Sequence, residues 1–65
     1  MNQKFLLFAQ PRWVGFKLTQ EGAEEETSFD SIPAAFAYAR TIPEAHGAPF
    51  MIFDEQGREF ASLTV

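Results

Sequence analysis

The chain contains no cysteine and one histidine, His46, in 65 residues. The first absence excludes disulfides and thiolate chemistry, and the second argues against a closed zinc site built on histidine. Cations are scarce as well. Lys4, Lys17 and three arginines stand against nine acidic residues, for a formal net charge of −4. Nucleic-acid affinity is built mainly from Lys/Arg contacts with phosphates, so this balance argues against a nucleic-acid partner and against an anionic membrane surface. The first ten residues hold one lysine and a five-residue apolar run, shorter than a signal-peptide core and far shorter than a spanning helix. The expectation is a soluble, cytoplasmic protein with no membrane contact.

Aromatic residues, in contrast, are plentiful: eight phenylalanines, one tryptophan and one tyrosine. The length allows one domain, residues 1–65, at the small end where a single core only marginally offsets the entropy of folding. Small chains close that gap with disulfides, metals or association. Without cysteine or a histidine cluster, self-association is the remaining means.

Two segments are apolar at every position, Phe5-Leu6-Leu7-Phe8-Ala9 and Phe50-Met51-Ile52-Phe53. As strands they bring apolar side chains to both faces of a sheet. Residues 4–10 and 13–20 read as a hairpin turning at Gln10-Pro11-Arg12, since proline presets φ for a tight turn. In the register expected there, Phe8 faces Gly15, Leu7 faces Phe16 and Phe5 faces Leu18, and the helix-facing side includes Val14. Residues 21–28, with Glu24-Glu25-Glu26 and no apolar periodicity, read as an exposed loop. A helix follows, capped by Asp30 or Ser31, with Pro33 in its first turn and a stripe of Ile32, Ala35, Phe36, Ala39 and Ile42. Pro43 ends or kinks it near Thr41, and Gly47 stops a further distorted turn. Residues 49–54 and 58–64 form a second hairpin around Asp54-Glu55-Gln56-Gly57, the pattern of a type I turn with a left-handed glycine. There Ile52 is expected to face Phe60, and Phe50 to face Ser62.

These elements predict an α+β domain, β-β-α-β-β, with a four-stranded sheet in the order 2-1-3-4 and one helix on one face. The helix would cover Phe60 along with the core residues of the other strands. Leu6, Phe8, Trp13, Met51, Phe53, Ala61 and Leu63 would remain on the uncovered face, more apolar surface than a monomer leaves contiguous. Of these, Leu6, Phe8, Trp13, Met51, Phe53 and Leu63 are the candidate interface, and Trp13, Phe8 and Phe53 its aromatic anchors.

Trp13-Val14 followed by Lys17, Gly22 in the loop, an alanine-rich helix, Gly47-Ala48, an apolar strand and Asp54-Glu55-Gln56-Gly57-Arg58 resemble a family of short bacterial ββαββ domains of unknown function. The resemblance runs from Trp13 onward and rests on turn and core signatures. It implies the two-hairpin, one-helix fold and supplies no catalytic residue or ligand. Two features depart from the family's pattern: Pro43 interrupts the helix, and Phe53 stands where a more polar residue is usual.

The chemistry-bearing residues do not assemble into a catalytic pattern. His46 has no neighbouring nucleophile to activate and reads as a helix-end residue. Three adjacent glutamates do not reproduce the spaced oxygens of a hard-cation loop. Asp54, Glu55 and Glu59 sit on a turn or edge strand, where a cross-strand partnership of Asp54 with Arg58 is the simplest reading. The sequence thus predicts no enzyme, cofactor or metal, and a small interaction module that homodimerises through its uncovered sheet face. The alternatives are an unidentified protein partner, or an aromatic face that binds single-stranded nucleic acid or a small apolar ligand.

Overall fold

The structure, a computed structural model, describes residues 3–65; Met1 and Asn2, which begin the expected domain and the segment read for a leader, lie outside it. Strands β1 (Phe5–Ala9) and β2 (Phe16–Gln20) are followed by β3 (Glu26–Phe29), helix α1 (Ile32–Arg40), β4 (Pro49–Phe53) and β5 (Glu59–Thr64). All five strands form one mixed sheet in the order β3-β2-β1-β4-β5. The expected four-stranded ββαββ sheet is therefore corrected to five strands. The additional strand comes from the segment read as a loop, and the fold implied by the family resemblance lacks it as well.

β3 escapes a reading by periodicity because it is held by its backbone. It pairs antiparallel with β2, Phe16 opposite Phe29 and Thr19 opposite Glu26, and only Phe29 packs against the core. Its one glutamate, Glu26, suits an edge, where charge discourages pairing with another chain. β1 and β4 run parallel at the centre, Phe5 beside Phe50 and Phe8 beside Phe53. Flanked on both sides by strands, these two carry the continuous apolar runs.

The helix begins where Ser31 accepts a hydrogen bond from the Ala34 N–H at 3.2 Å, with proline in the first turn. It ends before Thr41, whose N–H and hydroxyl both donate to the Tyr38 carbonyl. A separate 3-10 turn, Pro43–Ala45, then leads to β4. Small side chains let α1 lie close: Ala35 and Ala39 are fully buried, and the helix lies mainly over β1, β2 and β3, with Phe36 reaching Phe50 of β4. Under it lie Phe5, Leu7, Ala9, Phe16, Leu18, Phe50 and Ile52, all buried, with Phe36 set edge-on against Phe50 at 5.1 Å. Tyr38 leans its ring against Phe29 at 5.3 Å.

Both hairpin registers differ from expectation. In the first, Phe8 faces Lys17, Leu7 faces Leu18 and Phe5 faces Gln20, two residues away from the expected pairing. Trp13 and Val14 belong to the connection, because residues 10–14 make two overlapping tight turns, the Trp13 N–H donating to the Gln10 carbonyl and the Val14 N–H to the Pro11 carbonyl, and the ladder closes with the Gln10 N–H donating to the Gly15 carbonyl. Val14, expected beneath the helix, is 75 % exposed.

In the second hairpin the turn is as read. Gly57 has φ 85°, and one Asp54 carboxylate oxygen accepts from the Gln56 and Arg58 N–H groups, both at 2.9 Å. The partnership of Asp54 with Arg58 thus runs through the Arg58 backbone. Beyond it, Phe53 faces Glu59 but Ile52 faces Ala61, so Phe60 is the extra residue of a β-bulge. Past a one-residue offset every side chain changes face. Ala61 and Leu63, opposite Ile52 and Phe50, turn toward the helix side, and Ser62 toward the uncovered side. Phe60, expected in the core, is 51 % exposed.

Candidate interaction surface

The face of the sheet away from α1 is built by alternation. On β1, burying Phe5, Leu7 and Ala9 sends Leu6 and Phe8 the other way; on β4, burying Phe50 and Ile52 does the same for Met51 and Phe53. These four side chains are adjacent, because Leu6 pairs with Met51 and Phe8 with Phe53. The Phe8 and Phe53 rings stack 4.7 Å apart at 15°. Each of the four is half-buried, and among the described residues no helix or strand lies over them. Polar side chains border the group: Lys17 and Thr19 on β2, Glu59 and Ser62 on β5.

Four of the six residues expected at the interface are therefore brought together, Leu6, Phe8, Met51 and Phe53. The other two are placed elsewhere. Leu63 is 44 % exposed on the helix side of β5, opposite Phe50. Trp13, also 44 % exposed, lies edge-on to Phe16 at 6.0 Å and to Phe60 at 5.5 Å, so it closes the end of the core between those rings. Its position is set by two consecutive left-handed residues, Arg12 at φ 62° and Trp13 at φ 58°, a conformation that costs a non-glycine residue about 1 kcal/mol each. The Arg12 N–H donates to Glu55 Oε2 at 2.6 Å, tying this turn to the β4–β5 turn. No sequence pattern announces that pair of backbone angles.

A cleft of about 110 Å³ between β2 and α1, lined by Phe5, Leu18, Tyr38 and Ile42 among others, is small beside the roughly 300 Å³ or more of a ligand pocket. A second hollow, at the far end of α1, is lined by Phe36, Arg40, Ile42, Pro43, His46, Thr64 and Val65; at about 460 Å³ it has the volume of a small-molecule site, although it is shallow and open to solvent. Among the described residues no group of three His, Asp or Glu side chains is placed to hold a metal ion, and no side-chain polar atom is buried without a partner. Glu24, Glu25 and Glu26 are all exposed on the β2–β3 connection and the start of β3. Among the described residues no helix is long and apolar enough to cross a membrane. Compared with known proteins, the chain matches no family model, no curated protein and no solved structure.

Proposed function

We propose that the chain is a small, non-catalytic, cytoplasmic interaction module that homodimerises through the uncovered face of its sheet. One observation carries this reading: four apolar side chains of the two central strands, Leu6, Phe8, Met51 and Phe53, stand together with no helix or strand of the described residues over them. A one-sided sheet with an apolar second face is half of a sandwich.

Size bounds the strength of the contact. Five strands about 4.8 Å apart and about 17 Å long present roughly 400 Å² in projection. That is about half the area each partner contributes to a standard stable interface, so the dimer is one that dissociates at micromolar concentration. Sedimentation of the protein and of its Phe8→Ala variant tests this. The parent should associate in that range, and the variant about tenfold more weakly, since a stacked aromatic at the centre of a contact is its typical anchor. Equal association of the two proteins contradicts the reading, as does a parent that stays monomeric.

A further inference from the structure

The uncovered face has charge order as well as an apolar centre. Across the sheet at one level, the paired positions are Ser28, Lys17, Phe8, Phe53 and Glu59, on β3, β2, β1, β4 and β5 in turn. A cation stands one strand to one side of the stacked rings, and an anion one strand to the other. Both are exposed, and among the described residues neither forms an ion pair. At the next level Leu6 and Met51 lie between Thr19 and Ser62, so both levels share an apolar centre with polar flanks.

We infer that a second copy docks on this face about a two-fold axis that runs parallel to the strands, between β1 and β4. The inference rests on the proposed use of the face as a contact surface and specifies its partner and orientation. Rotation about such an axis exchanges the left and right of the sheet. It lays β1 over β4 of the second copy and β2 over its β5. Phe8 then meets Phe53, Leu6 meets Met51, and Lys17 meets Glu59, each contact occurring twice because the interface is isologous. Sheets pack about 10 Å apart, a gap that a lysine and a glutamate reaching toward each other can close.

The competing two-fold, in the plane of the face but across the strands, stacks ring on ring only by setting Lys17 over Lys17 and Glu59 over Glu59. Like charges set against each other disfavour it. The inferred axis also leaves β3 overhanging the edge of the second copy, where Glu26 meets no acidic neighbour. The chain carries a net charge of −4, so an arrangement that keeps Glu26 out of the contact is the one that association tolerates.

Charge exchange tests the arrangement. K17E and E59K alone each turn two attractive pairs into two repulsive ones and should weaken self-association roughly 10- to 30-fold. Both positions are exposed, so circular dichroism should report an unchanged fold. Mixed in equal amounts, the two variants regain both attractive pairs in a heterodimer, and sedimentation should show dimer at the concentrations where the parent forms it. If each variant associates like the parent while Phe8→Ala does not, the face is the interface but the inferred axis is wrong. A mixture no more associated than its components also refutes the axis. A parent that remains monomeric removes the contact surface and the inference together.

Discussion

Replacing Phe50 and, separately, Phe53 by alanine compares the two faces of one strand with the same side chain. Phe50 is fully buried, edge-on to Phe36 at 5.1 Å and 6.0 Å from Phe5 between ring centres. Its truncation opens a cavity under α1 and should cost about 3–5 kcal/mol. A domain of this size is stable by only about 3–10 kcal/mol, so Phe50→Ala should be largely or marginally unfolded at 25 °C. Phe53 lies three residues on and is half-buried, with the Phe8 ring as its stacking partner. In the monomer its truncation loses that pairing and part of its burial, about 1–2 kcal/mol. Urea unfolding followed by circular dichroism, at concentrations below association, measures both. A cost for Phe53→Ala equal to that for Phe50→Ala would mean that something covers the second face in the monomer, and the reasoning about an open face would be wrong.

Ser31→Ala removes the acceptor for the Ala34 N–H and should lower stability by about 1 kcal/mol in a thermal melt; a change below a few tenths would show that the cap is idle. Gly57→Ala should cost about 1–2 kcal/mol at φ 85°, with nothing within 4 Å of the added carbon, so the whole cost is conformational. If that variant melts with the parent, the turn has another geometry. Trp13→Ala should lower stability by about 1–2 kcal/mol through lost contact with Phe16 and Phe60, yet leave the association constant unchanged. A weaker dimer would place the indole in the interface after all.

How well each element could be read from the sequence follows from the period of a strand. Phe5, Leu7, Phe16 and Leu18 are found under the helix even though the first hairpin is paired two residues away from the expected register. An even slip preserves which face each side chain takes. The offset at Phe60 is odd, so it reverses every later position of β5: Leu63 leaves the expected interface and Ser62 enters the uncovered face. Bulges arise from the local fit of two strands and leave no mark in composition. β3 was illegible for a different reason, because Glu-Thr-Ser has no apolar alternation and its pairing to β2 is made by backbone groups. Trp13 depended on left-handed backbone at two consecutive non-glycine residues, which sequence patterns do not anticipate. The helix was the most legible element, since Ser31, Pro33 and the Ala35/Ala39 spacing each have a direct mechanism. The same alternation that fixed the core also made Leu6, Phe8, Met51 and Phe53 readable as a second apolar face.

The central claim is that this second face joins two copies of the chain, and light scattering across a concentration series measures it most directly. A mass that rises from one chain toward two over the micromolar range is the expected result. A mass of one chain at every concentration would contradict it.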